Sequence, residues 1–188
     1  MVSGVLWHIA EAMTKSNRDN LNLNIRLLTS ADFSQFWPVR LLALQESPHA
    51  FGASYEESLA MSEQEAVSRL SPKDGGFILG AFADQLVGIA GLARQPGIKV
   101  RHKATIWGVY VVPTARGSGI ARLLFEDLLA RCQNIEGLEE VVLSVVTTNR
   151  AAKELYLSLG FEVYGLEKRA LKVGNEYFDE ELMTRSIT

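Results

Sequence analysis

The stretch Val111-Val112-Pro113-Thr114-Ala115-Arg116-Gly117-Ser118-Gly119-Ile120-Ala121 brings together residue types that bind an anionic phosphate group. A β-branched strand leads into a glycine-rich turn, and an amphipathic helix follows. Glycine lets backbone N–H groups turn toward a ligand with no Cβ in the way, and a helix N-terminus adds unsatisfied donors and partial positive charge. Arg116 places a full charge beside them. Beyond the turn, Ile120, Ala121, Leu124, Phe125, Leu128 and Cys132 share one helical stripe with Arg122 and Glu126 opposite, so core packing fixes where the donors point. Two other phosphate-binding loops fit poorly. A dinucleotide fingerprint needs G-x-G-x-x-G, and Gly117-Ser118-Gly119-Ile120-Ala121-Arg122 ends in arginine where helix packing wants a small residue. An NTPase loop needs G-x-x-x-x-G-K-S/T, and no lysine follows here. Taken alone, the turn also suits another phosphate ligand or a purely structural role.

A second element lies downstream. Asn149-Arg150-Ala151-Ala152-Lys153-Glu154-Leu155-Tyr156-Leu157-Ser158-Leu159-Gly160-Phe161 reads as a complete short helix, with Asn149 as N-cap, Ala152, Leu155, Tyr156 and Leu159 at helical spacing, and Gly160 as the C′ stop. Arg116, Gly119 and Ala121 match R-x-x-G-x-A, and the second element is similar to N-x-x-A-x-x-L-Y-x-x-x-G-F. The strand-like run Val141-Val142-Leu143-Ser144-Val145-Val146 separates the two. In this order they resemble the GNAT superfamily of acetyl-CoA-dependent N-acyltransferases, over roughly residues 24 to 185.

That resemblance implies the following roles. Acetyl-CoA is the cofactor, held by the segment from Tyr110, Val111 and Val112 through Arg116, Gly117, Ser118, Gly119, Ile120 and Ala121, with Asn149 and Tyr156 completing the site. Tyr156 is the general acid near the sulfur, and backbone N–H around Tyr110 to Val112 polarises the carbonyl. Spacing alone equally describes Tyr156 as a core residue of its helix, and Asn149 as a cap and nothing more. A phenol near ~10 lies about 1.5 units above a thiol near ~8.5, so hydrogen bonding more than outright proton transfer would carry its effect. If Gly160 closes a Schellman cap, Phe161 is C″ and Tyr156 is C3, and Phe161 should buttress the phenol.

The general base is less evident. Ile106-Trp107-Gly108-Val109-Tyr110 contains no carboxylate where many relatives carry a glutamate; His102, Glu56 and Glu57 are candidates, though each also reads as an ordinary surface group. Neutralising a lysine at pH 7 costs about 4.6 kcal/mol, an α-amino group about 1.1, so a site without a strong base favours low-pKa amines or a water relay. By the same resemblance the acceptor pocket lies between the first two helices, the fourth strand and the last hairpin, where Phe51, Tyr55, Glu56 and Trp107 are expected. The leading expectation is an N-acetyltransferase acting on a primary amine of a small molecule or amino acid in a ternary complex. A peptide or protein N-terminal acetyltransferase and a catalytically silent acyl-CoA sensor are the alternatives. No metal is expected.

The elements that must position these residues can be read in order. Asn24-Ile25-Arg26-Leu27-Leu28 suggests a strand, Asp32 an N-cap, and Phe33 to Gln45 a helix interrupted near Pro38. Tyr55 to Leu70 reads as one helix. Phe77 to Phe82 and Leu86 to Leu92 form a hairpin, Ala104 to Val112 the next strand, and then helix, strand, helix, strand and strand follow, ending with Phe161 to Tyr164 and Tyr177 to Met183. This alternation predicts a mixed α/β, or α+β, single domain over 24–188, with helices on both faces of the sheet. The resemblance makes that sheet mostly antiparallel with one splayed parallel pair, and Gly108 is placed to form the bulge where the splay begins.

The chain's 188 residues are enough for a full core, and a net charge of -3 offers no basic surface for nucleic acid. Cys132, the single cysteine, excludes an internal disulfide and sits on an apolar stripe, as a core residue rather than a nucleophile. Residues 1–23 read as a loosely held extension without a targeting or membrane segment. These features point to a cytoplasmic protein with no membrane partner, and they are compatible with a homodimer.

Overall fold

The computed structural model describes residues 23–71 and 74–187; the expected extension over 1–23 falls almost wholly outside them. Strand β1 (Asn24–Leu27) leads through a 3-10 turn into helix α1 (Phe33–Glu46), and two short helices, α2 (Tyr55–Leu59) and α3 (Glu63–Ser68), follow. Then come β2 (Phe77–Phe82), β3 (Leu86–Arg94), β4 (Lys103–Val111), α4 (Ile120–Cys132), β5 (Glu140–Val146), α5 (Arg150–Ser158), β6 (Glu162–Val173) and β7 (Glu176–Ser186). The strands form one mixed sheet in the order β1-β2-β3-β4-β5-β7-β6, antiparallel except for β4 with β5.

Burial follows from that order. Leu86 to Leu92 of central β3 are all buried, the mark of a strand covered on both faces. A Cβ placed on Gly88 would meet Leu124 and Ile120 of α4 at 3.1 and 3.2 Å, so that helix lies tight on the sheet. Its buried stripe is Ile120, Leu124, Phe125, Leu128, Leu129 and Cys132. The Cys132 thiol, fully enclosed there, is pushed up to about 12 by burial and cannot serve as a thiolate.

Three local expectations are corrected. Helix α1 runs unbroken through Pro38, because Phe36, Val39, Ala43 and Leu44 bury its inner face and outweigh the hydrogen bond that proline removes. Asp32 precedes α1 but does not cap it with its side chain; its carboxylate takes the Thr29 N–H at 2.9 Å and both Arg26 terminal nitrogens at 2.6 and 2.8 Å. Finally, 55–70 is two helices. Ser54 with Glu57 and Ser62 with Glu65 each close a capping box, and the second starts a new helix.

Candidate active site

The glycine-rich turn is built as a cradle. β4 ends in a 3-10 turn at Pro113–Ala115, and Ser118 Oγ donates to the Ala115 carbonyl at 2.6 Å. Gly117 and Gly119 then adopt φ of +76° and +84°, where a side chain would be strained, and a Cβ on either would project into open space. Gly119 is the N-cap of α4 and has no side chain to satisfy the first-turn N–H groups. The backbone donors of this turn therefore face open space, an arrangement that suits a diphosphate.

Arg116 is less free than its position in the sequence suggests. Its Nε donates to the Val111 carbonyl at 3.0 Å and its Nη2 to Glu46 Oε2 at 2.7 Å. The same oxygen accepts the Tyr110 hydroxyl at 2.5 Å. Burial first, and then Glu46, push the Tyr110 phenol far above its ordinary range, so it remains a donor. The Arg116 side chain is 47% exposed, and an ion pair that open is worth only about 0–1 kcal/mol. Two phosphate charges can outcompete it, so the residues present fit a diphosphate.

Next to the cradle the sheet opens. β4 and β5 pair through Lys103–Glu140, Ala104–Val141 and Thr105–Val142 and no further, although both strands continue. Three residues later, Gly108 takes φ of +66° and the β3–β4 register gains an extra residue on β4. The bulge is where the sequence suggested, but the divergence has already begun at Thr105. The Val112 N–H is committed to the Val87 carbonyl of β3 at 2.9 Å. Strand alternation then turns the Val111 N–H to the opposite edge, into the gap left by β5. Of the three backbone N–H groups at 110–112, that of Val111 is the one turned into this gap.

Tyr156 closes the slot from α5. The Phe161 N–H donates to the Tyr156 carbonyl and the Gly160 N–H to the Leu157 carbonyl, both at 3.0 Å, and Gly160 has φ of +82°. Those two bonds make a Schellman cap. Ring centroids of Tyr156 and Phe161 are 6.1 Å apart, and Phe125 of α4 lies 5.0 Å from Tyr156 and 6.0 Å from Phe161. Burial pushes the Tyr156 phenol up to about 12, so it holds its proton throughout the physiological range. Asn149 Oδ1 caps α5 by accepting the Ala152 N–H at 3.2 Å, which leaves its amide nitrogen for a ligand.

A cavity of about 350 Å³ lies along the parted strands β4 and β5. Asn149 and Tyr156 line it, together with Phe51, Trp107 and the β5 segment Leu143 to Val146. Tyr55 and Glu56, on α2, are not in its wall. Nor are the base candidates His102 and Glu57: His102 sits before β4 at the closed end of the parallel pair, and Glu57 is spent on its capping box. The cavity instead carries Arg40, Arg69 and Glu180, none of which the sequence singled out. A signal existed for Arg40, since it interrupts the apolar stripe of Phe36, Val39, Ala43 and Leu44. None existed for Glu180 or Glu46.

The structure thus combines a glycine-rich turn at a helix N-terminus, a parallel strand pair that parts after three residue pairs, and a buried tyrosine in the wall of the cavity between them. Residues 36–161 match the model of the acetyltransferase (GNAT) family, and the chain belongs to that family. An uncharacterised Mycobacterium leprae protein is 38% identical over 87 residues, 46% of this chain and 23% of that protein. The L-amino acid N-acetyltransferase AaaT of Escherichia coli is 28% identical over 85 residues, 45% of this chain and 52% of AaaT. The aligned segments thus span about half or less of these relatives. Among solved structures, a GNAT-family acetyltransferase from Streptococcus pneumoniae superposes with a TM-score of 0.76 at 23% identity, covering 89% of this chain and all of that one. The yncA protein of Salmonella typhimurium, solved with its cofactor acetyl-CoA, gives 0.72 at 21%, covering 89% and 95%. At these identities the two structures speak for the fold.

Proposed function

We propose that the protein is an N-acetyltransferase that moves the acetyl group of acetyl-CoA to the primary amine of a small molecule or amino acid, within a ternary complex. The observation that carries this reading is one cavity, along the parted edges of β4 and β5, lined by Phe51 and Trp107 as well as Asn149 and Tyr156. Acetyl-CoA supplies an activated thioester carbonyl. The amides of Gly117 to Ala121 hold its diphosphate, with Arg116 exchanging Glu46 for a phosphate and Asn149 reaching from the other side of the slot. The Val111 N–H is aimed at the carbonyl oxygen, where one such donor is worth on the order of 10²-fold in rate. Tyr156, firmly protonated, donates a hydrogen bond to the departing sulfur. Glu180 is the carboxylate in the cavity wall and takes the proton of the amine, directly or through water. The match to AaaT supports an amino-acid acceptor, and the single buried cysteine supports a reducing, cytoplasmic setting; among the described residues no helix is long and apolar enough to cross a membrane.

Thiol release from acetyl-CoA across a panel of amines and peptides tests the proposal. Turnover with small amines is expected, and Tyr156→Phe should slow it by ~100-fold where chemistry limits the rate. Binding of acetyl-CoA with no thiol release for any acceptor would make the protein a sensor, and release confined to peptides would move the acceptor class.

A further inference from the structure

Within the acceptor cavity lies a cation that acetyl transfer leaves unused. Arg40 stands midway along α1 and is 5% exposed. Its Nη1 is buried without a hydrogen-bond partner among the described residues. The guanidinium is held between two rings, 5.1 Å from the Phe51 centroid and 5.7 Å from that of Trp107. Nη1 faces the β4 bulge, where a Cβ on Gly108 would approach it to 3.5 Å. Arg40, Phe51, Trp107 and Gly108 all line the cavity, so the guanidinium borders the space where the acceptor must sit, with Nη1 itself enclosed at its wall. The other charges on that space are Arg69, which repels Arg40, and Glu180, which reaches it from β7.

Burying a guanidinium without an anion is costly, and its planar fork matches a carboxylate. We propose that Arg40 binds the carboxylate of the acceptor, which makes the substrate an α-amino acid with its amine turned to the slot between β4 and β5. The inference rests on the reading of this cavity as an acetyl-acceptor site. Spacing along β4 agrees with it. The bulge at Gly108 lies three residues from Val111, a strand distance of about 10 Å. A small amino acid with its carboxylate at Arg40 and its amine a few bonds away spans a distance of that order. Arg40 would also offset the carboxylate charge that holds the neighbouring ammonium protonated, making the amine easier to neutralise where Glu180 is the only carboxylate lining the cavity among the described residues.

The test sets each common L-α-amino acid beside its α-amide and its decarboxylated amine in the thiol-release assay. The acids should exceed the amides by on the order of 100-fold in kcat/KM. Arg40→Gln should collapse that ratio toward one through the acceptor KM, with the acetyl-CoA KM unchanged, and Arg40→Lys should restore part of it. A ratio near one in the parent enzyme, or one that survives Arg40→Gln, overturns the assignment. Calorimetry on the full chain with CoA, comparing N-acetyl-amino acids with N-acetyl-amino amides, reads the subsite without turnover. Tighter binding of the carboxylate forms supports the subsite even if acetyl transfer fails, and equal binding refutes it even if transfer succeeds.

Discussion

Replacing Arg40 by methionine should make the unliganded protein more stable, an unusual expectation for a buried position in a cavity wall. A guanidinium whose pKa falls from its ordinary value to about 10 on folding, chiefly by burial and then by repulsion from Arg69, is disfavoured in the fold by about 3 kcal/mol. Contact with the Phe51 and Trp107 rings returns about 0.5–2 kcal/mol of that. Methionine keeps most of the apolar stem and fits an irregular apolar space. The net expectation is a gain of about 1–2 kcal/mol, or about 3–6 °C in Tm for a chain this long. The sign of the pH dependence follows from the direction of the shift. The unfolded chain holds the Arg40 proton more tightly than the folded chain, so the penalty is full below about pH 10 and relieved only above it. The gain should therefore be flat between pH 6 and 9. Urea unfolding followed by tryptophan fluorescence, with the m-value checked for constancy, measures it. A loss of about 1 kcal/mol or more would mean that the guanidinium is satisfied in the native state, and the reasoning for an unmet cation would fail.

Other perturbations separate the remaining parts of the site. Asp32→Asn removes a carboxylate that the Arg26 hydrogen bonds, helped by Thr29, hold down to about 2; its contribution is complete above pH 4 and lost as pH falls toward 2, so the variant should be about 1–2 kcal/mol less stable at pH 7 and equal to the parent near pH 2, as acid titration of unfolding would show. Phe161→Ala opens the packing behind Tyr156 and should cost about 3–5 kcal/mol while also lowering turnover per folded enzyme; unchanged turnover would remove the buttressing role. In Gly119→Val a branched residue would have to hold φ of +84°, and its side chain would enter the cradle, so the acetyl-CoA KM should rise by on the order of 10-fold or more with acceptor preference unchanged. Gly91→Ala would bring a Cβ to 2.5 Å from the Trp107 ring, and the displaced ring should raise the acceptor KM in steady-state kinetics while leaving that for acetyl-CoA in place.

Legibility in the sequence followed the range of the interactions. The Schellman cap at Gly160, the Asn149 cap and the positive φ of Gly117 and Gly119 are set within a few residues, and each was readable from the residue types. So was the restart at Ser62, had the repeated S-x-x-E at Ser54 and Ser62 been weighed against the apolar spacing of Leu59, Val67 and Leu70. The order of the elements was legible because hydrophobic period changes from two to 3.6 at each junction. The unbroken course of α1 through Pro38 was not, since a local penalty lost to packing that no local pattern displays.

The chain by itself determined a glycine-rich turn into a helix N-terminus and a capped helix carrying a tyrosine, because both are products of backbone stereochemistry over short spans. Only the tertiary structure decided what faces them. Glu46 meets Tyr110 and Arg116 across 64 and 70 residues of sequence, and Arg40, Trp107 and Glu180 share one cavity because the sheet order sets β7 beside β5 and leaves β4 free to diverge. Contacts between elements that far apart depend on how whole faces pack, and a residue such as Arg40 shows its unmet charge only once the walls around it are in place.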